Sequence, residues 1–279
     1  MQLAMINDRL IGLDELGDEF LDRGLFFGDG VYEVVRSYDG RLFALEEHLA
    51  RFAASLKAIE ITKVDIGQIR SKIIEAFEAA NIPNASVYFH MTRGSGMRSH
   101  ACSDDLKPNF LLIIRELEDA TKVKTQGISV ITCPDLRWKR CDIKSLNLLP
   151  NVLARRQAAR KGCDEAIFVN DDGFITEGAA SAFFAIHEKK LQTSPLSENI
   201  LPSITRKFVI KAAGNIGMDV VDKSLTPGEA SLCDELFIAV TTKDIVPIVK
   251  FDDKIIGDGR PGEYAKALTE EFRKFTKST

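Results

Sequence analysis

The chain has 279 residues, 45% of them hydrophobic and 28% charged, with a net charge of −4 and a pI near 5.7. That length allows two modest domains or one large one, and the acidic balance argues against a surface built for nucleic acid or anionic lipid. The opening MQLAMINDRL carries charges too early for a signal peptide and no run approaches the roughly 20 apolar residues of a membrane span, so a soluble cytoplasmic protein is expected.

In chain order, residues 31–36 read as a strand, Tyr38-Asp39-Gly40 as a turn and 41–44 as the return strand. Leu45, Leu49, Phe52 and Leu56 recur at helical spacing and predict the buried face of a helix. A second helix is expected over 66–80, with Ile69, Ile73, Ile74 and Phe77 inward. Strands follow at 86–92 and 110–114, separated by a Gly-rich polar loop, 93–107, of the length that tends to be functional. Residues 116–121 are charged and aperiodic and read as a connection between domains. Beyond them come strands near 128–132, 165–169, 174–176 and 183–186, and helices near 150–161, 205–214 and 262–274. Pro150 suits the first turn of its helix and Gly162 the cap after its end. This pattern predicts an α+β fold of two domains with a cleft between them: a smaller one over 1–117, a linker at 118–121 and a larger one over 122–279.

Several chemistries find no support. The chain has no GxxxxGK[ST] and no GxGxxG after a strand; Gly28-Asp29-Gly30 and Gly94-Ser95-Gly96 are too short for nucleotide loops. His48, His90, His100 and His187 form no HxxxH-type pair, so no metal site is expected. Cys102, Cys133, Cys141, Cys163 and Cys233 are odd in number and scattered, as reduced thiols would be.

The informative stretch runs from Arg137 to Phe184. It contains Asp142-Ile143-Lys144-Ser145-Leu146-Asn147 and, further on, Thr176-Glu177-Gly178. Taken alone, such a lysine is an ordinary surface residue and such a glutamate a polar turn residue. The extended segment, RWKRCDIKSLNLLPNVLARRQAARKGCDEAIFVNDDGFITEGAASAFF, resembles the fold-type IV pyridoxal-phosphate enzymes. Within them it is most similar to the D-amino acid aminotransferases, over nearly the whole chain from about Phe26.

The resemblance implies a cofactor, pyridoxal 5'-phosphate, in the interdomain cleft, and a homodimer exchanging an amino group between a D-amino acid and a 2-oxo acid (2-oxoglutarate or pyruvate). It assigns the Schiff-base lysine to Lys144 and the partner of the protonated ring nitrogen to Glu177. Phosphate contacts fall on Ile204, Thr205 and Thr241, with a bidentate cationic contact from Arg51. Pro202-Ser203-Ile204-Thr205 supports that assignment, because a capped helix N-terminus is a natural anion site. The resemblance also places Leu201 against a ring face and Ser181 among the cofactor contacts. Tyr32, Arg98 and His100 would receive the α-carboxylate, Arg98 and His100 reaching over from the neighbouring subunit.

Three positions depart from the family pattern. Ala180 and Ala182 stand where hydrogen-bonding side chains are usual, and Pro150 stands where the helix after the lysine usually opens on a small residue. The alternatives within the fold are a branched-chain L-amino acid aminotransferase and a 4-amino-4-deoxychorismate lyase. The alternative of another class is a non-catalytic cofactor- or metabolite-binding protein.

Overall fold

A computed structural model of the chain describes residues 2–278. Residues 30–116 build an antiparallel four-stranded sheet in the order Arg41–Leu42, Gly30–Tyr38, Ala85–Thr92, Asn109–Glu116. The expected turn closes its first hairpin: Tyr38 pairs with Arg41 across Asp39 and Gly40. Both turn residues have positive φ, 49° and 81°, the backbone that a two-residue hairpin with right-handed strand twist requires. The return strand is shorter than expected because Ala44, at φ 54°, already caps the next helix.

Helices Leu45–Ala58 and Ile66–Ala80 cover one face of this sheet. Their stripes bury Leu45, Leu49, Phe52, Leu56, Ile69, Ile73 and Phe77 against Val31, Val35, Val87 and Phe89, with Ile74 half-buried at the edge. The opposite face bears the half-buried Tyr32, Val34 and Arg36, and Arg36 reaches from it to Asp244. A short helix, Thr121–Gln126, begins within the segment read as linker.

The second sheet has nine strands. Its main path runs Val220–Asp222, Lys190–Thr193, Ala182–His187, Glu235–Val240, Asp244–Phe251, Ile128–Pro134, Glu165–Val169, Ile175–Gly178. Two central members, Glu235–Val240 and Asp244–Phe251, lie outside the strands expected from sequence. They are largely buried and read as plain apolar runs without alternation. Helices Ile204–Asn215 and Glu263–Ser278 pack against this sheet through Phe208, Val209, Leu268 and Phe272. Helix Leu149–Arg160 packs through Ala154 and Ala158, with Pro150 in its first turn and Gly162 at φ 72° beyond its end. No helix among the described residues is long and apolar enough to cross a membrane.

Candidate active site

The two sheets meet at a cavity of about 270 Å³. Tyr32, Val34 and Arg51 line it from the first sheet and its helix, Lys144 from the loop between Pro134 and Leu149, and Glu177, Ser181, Leu201 and Thr241 from the second sheet and its connections. Seven residues proposed from sequence therefore share one cavity.

Lys144 follows a loop that crosses back onto the first sheet. Its carbonyl accepts from the Tyr32 amide at 2.9 Å, Val31 and Ser145 form an isolated bridge, and its own amide donates to Ser55 Oγ at 3.1 Å. The backbone is thus held by the small sheet while the side chain enters the cavity. Nζ lies 4.3 Å above the Tyr32 ring, with no hydrogen-bond or ion-pair partner among the described residues.

Glu177 sits on the edge strand Ile175–Gly178 and is 5% exposed, so it is a buried strand residue and not part of a turn. Its Oε1 accepts from Arg137 Nη1 at 2.5 Å and from the Leu201 amide at 3.2 Å. Its Oε2 has no hydrogen bond among the described residues. Burial raises the carboxyl above the ordinary carboxylate range, against the opposing charge of Arg137. Arg137 is itself clamped: Nε and Nη2 grip Asp135 at 2.8 and 2.7 Å, and the guanidinium lies 4.6 Å above the Phe168 ring. Sequence reasoning did not assign Arg137 a role. The only local signal was Asp135 two residues before it, which alone looks like a surface pair.

Ser203, also in the cavity lining, caps helix Ile204–Asn215 as expected, its Oγ accepting from the Arg206 amide at 3.1 Å. The amides of Ile204 and Thr205 open the helix and have no acceptor within it. These two residues lie just behind the cavity wall; the Thr205 hydroxyl is 3.5 Å from that of Thr241. Such a terminus favours an anion through its free N–H groups and its dipole.

Arg51 is buried, not a surface salt-bridge residue, and its fork is partly committed. Nε and Nη2 grip Glu33 at 2.7 and 2.8 Å, and Nη1 donates to the Pro202 carbonyl at 3.0 Å. The side-on bidentate edge expected for an anion therefore belongs to Glu33, leaving the remaining protons of Nη1 and Nη2. Glu33 is fully buried and also meets His48 Nδ1 at 2.8 Å. Burial pushes its carboxyl up, but the charge and hydrogen bonds of Arg51 outweigh it and bring the pKa to about 2. His48 is held below its ordinary value, chiefly by burial.

Arg98 and His100 do not join this cavity within the chain. Both are exposed. The Arg98 guanidinium lies 5.1 Å above the Phe27 ring, and the His100 ring lies 5.3 Å from the same ring. His100 lines a neighbouring cavity, which shares Trp138, Ser145 and Asn147 with the first. Buried Arg23, unassigned from sequence, fastens the loop by donating to the Ser99 and His100 carbonyls at 2.6 and 3.2 Å.

The floor beside Glu177 is close-packed. A Cβ on Gly178 would come within 2.1 Å of Ser181 Oγ, and Ser181 Oγ donates to buried Glu165 at 3.3 Å. Ala180 and Ala182 line the same wall with methyl groups only.

The site can therefore hold a polar molecule with an anionic group: the Lys144 amine and the Glu177 carboxylate belong to the cavity lining, and the amides that open helix Ile204–Asn215 lie behind its wall. The chain belongs to the amino-transferase class IV family, whose model matches residues 30–251. It is 36% identical to a D-alanine aminotransferase of Bacillus licheniformis over 264 residues, 94% of this chain and 93% of that one. It is 34% identical to a D-alanine aminotransferase of Staphylococcus haemolyticus, covering 100% of this chain and 99% of the other. Among solved structures, the branched-chain amino acid aminotransferase of Escherichia coli superposes with a TM-score of 0.84 at 25% identity, over 98% of this chain and 94% of that one. That of Thermoproteus uzoniensis superposes at 0.84 with 24% identity, over 97% and 93%, a likeness of fold.

Proposed function

We propose that the protein is a pyridoxal 5'-phosphate-dependent aminotransferase that moves the amino group of a D-amino acid to a 2-oxo acid by a ping-pong cycle. The observation that carries this reading is the pairing of Lys144 and Glu177 in one cavity, each with a side-chain atom free for a ligand. The D-alanine aminotransferases aligned over almost the entire chain support the D-amino acid as substrate.

When bound, the cofactor supplies an aldehyde and a pyridine ring able to accept an electron pair. Lys144 Nζ is the amine that would hold the aldehyde and carry a proton to and from the substrate carbon. Glu177 Oε2 would keep the proton on the ring nitrogen, with Arg137 and the Leu201 amide fixing the other oxygen. The Ile204 and Thr205 amides, the Thr205 and Thr241 hydroxyls and the outer end of Arg51 would take the phosphate. Leu201 would cover a ring face and Ser181 would close the wall behind it. Tyr32 would receive the substrate carboxylate together with Arg98 and His100 of a second copy, which makes the working unit a homodimer in the cytoplasm. The chain would divide at 118–121 into the smaller and larger domains, with the cofactor between them.

The decisive experiment adds D-alanine and L-leucine separately to cofactor-loaded enzyme and to Lys144→Ala. A change in cofactor absorbance with release of pyruvate from D-alanine alone, absent in the variant, is the expected result. A response to L-leucine instead moves the enzyme to the branched-chain group; multiple turnovers by Lys144→Ala overturn the assignment.

A further inference from the structure

We propose that Asp244 is a positioning residue of this enzyme, tying the turn that bears Thr241 and Thr242 to the first sheet and so holding the phosphate end of the cavity in register. The proposal rests on Thr241 belonging to the phosphate cradle.

The turn closes the hairpin between strands Glu235–Val240 and Asp244–Phe251. Val240 pairs with Asp244, and the Lys243 amide donates to the Val240 carbonyl at 3.1 Å. Thr241 and Thr242, at its tip, line the cavity. Asp244 has φ 59°, a left-handed conformation that Asp and Asn tolerate better than most residues.

Asp244 is 4% exposed, and its carboxylate gathers donors from two other elements. Oδ1 accepts from Arg36 Nη1 at 2.8 Å and from the Tyr38 hydroxyl; Oδ2 accepts from Lys124 Nζ at 2.6 Å. Arg36 and Tyr38 belong to strand Gly30–Tyr38, and Lys124 to helix Thr121–Gln126. Arg36 Nη1 also donates to the Thr242 carbonyl at 3.2 Å, so one guanidinium holds both the side chain and the backbone of the turn. Arg36 Nε is buried without a hydrogen bond, which leaves the group no second anchor of comparable strength.

Alternation along the strand puts Tyr32, Val34, Arg36 and Tyr38 on one face. Tyr32 and Val34 line the cavity, while Arg36 and Tyr38 hold Asp244. A single rigid strand thus carries one wall of the cavity and fixes the turn at its phosphate end.

A purely electrostatic role has the opposite sign. Asp244 puts a negative charge near a site for an anion, so neutralising it would tighten phosphate binding; loss of a tie would weaken it. The test titrates full-length protein stripped of cofactor with pyridoxal 5'-phosphate and with pyridoxal, which lacks the phosphate. Trp138, the one tryptophan of the chain and part of the cavity wall, is the fluorescent reporter. Asp244→Asn keeps the shape and the left-handed backbone; Tyr38→Phe removes one donor without changing charge, and decides the matter should Asp244→Asn not fold.

The expected result is a Kd for pyridoxal 5'-phosphate raised about tenfold in Asp244→Asn, as loss of a charge-assisted hydrogen bond predicts, and raised less in Tyr38→Phe. The Kd for pyridoxal stays unchanged in both. Unchanged or tighter phosphate binding, or equal weakening toward both ligands, overturns the proposal. A double variant, Thr205→Val with Thr241→Val, separates the two layers. If it erases the preference for the phosphorylated ligand while the Asp244 and Tyr38 variants keep it, the tie alone is wrong. If it leaves that preference intact, the cradle reading fails and the proposal falls with it.

Discussion

Arg137 and Glu177 stand forty residues apart in the chain and share a 2.5 Å hydrogen bond across the floor of the cavity. Each has a second fixed partner, Asp135 for the arginine and the Leu201 amide for the glutamate. The consequence is an oriented carboxylate: one oxygen is committed to protein, and the other has no hydrogen bond among the described residues. Burial favours the neutral acid, and Arg137 is the charge that resists it.

Arg137→Met removes that resistance. The Glu177 carboxyl should then titrate at higher pH than in the parent, read by 13C NMR of glutamate-labelled protein without cofactor. Removing one partner of a buried pair costs about 3–5 kcal/mol, so the urea midpoint should fall as well. A Glu177 titration that does not move would mean that the arginine does not govern its charge.

The Glu33–Arg51–His48 cluster predicts acid sensitivity. Both Glu33 and His48 have folded-state pKa values below their unfolded ones, so each contributes stability that is complete above its unfolded value and is lost as pH falls toward its folded value. Stability should begin to decline below His48's ordinary 6.5 and decline again between Glu33's ordinary 4.5 and about 2. Glu33→Gln should lower stability at neutral pH by about 3–5 kcal/mol and remove the lower step from a plot of unfolding free energy against pH. A lower step that persists in this variant would assign it to another carboxylate.

Arg98 is exposed, and its contact with the described residues is the Phe27 ring. Arg98→Ala should therefore change folding stability by less than about 0.5 kcal/mol. If the loop serves substrate carboxylate, KM for D-alanine rises at least about tenfold, as loss of a charge-assisted contact predicts. Steady-state kinetics with D-alanine that match the parent would remove Arg98 from the site.

Gly94 opens that loop at φ 120°, and a Cβ there would meet the Lys107 carbonyl oxygen at 2.2 Å. The obstacle is backbone, and the conformation is one that L side chains rarely adopt. Gly94→Ala should cost about 1–3 kcal/mol and displace residues 95–107. The kinetic signature is a higher KM for D-amino acid at unchanged cofactor affinity. Loss of cofactor affinity would point to disruption beyond the loop.

Much of the first sheet and its helices was legible because short-range rules govern them. The Asp39-Gly40 turn and the apolar stripes of the two helices each rest on residues within a few positions of one another, as does the Ser203 cap in the second half of the chain. The central strands Glu235–Val240 and Asp244–Phe251 escaped because burial on both faces erases the alternation that announces a strand. Thr121–Gln126 is too short and too polar to stand out from a linker.

The site divides along the same line. Lys144, Glu177, Arg51, Thr205 and Thr241 were named from sequence because their types and neighbours resemble a known pattern, and folding brings them around one cavity or directly behind its wall. The second tier was invisible there. Arg137, Arg23 and Asp244 act through partners 40, 76 and 208 residues away, and a charged residue alone does not reveal which distant group will neutralise it. Nor did sequence show that Glu33 occupies one edge of the Arg51 fork. By itself the sequence determined the fold class, the helix and turn signals and the residue types available to the site, because local backbone preference and residue chemistry are written position by position. Which oxygen of Glu177 faces the cavity, which edge of Arg51 is left for an anion and what holds the Thr241 turn were decided only by the tertiary structure, because buried charges must find partners and the folded chain determines which ones lie within reach.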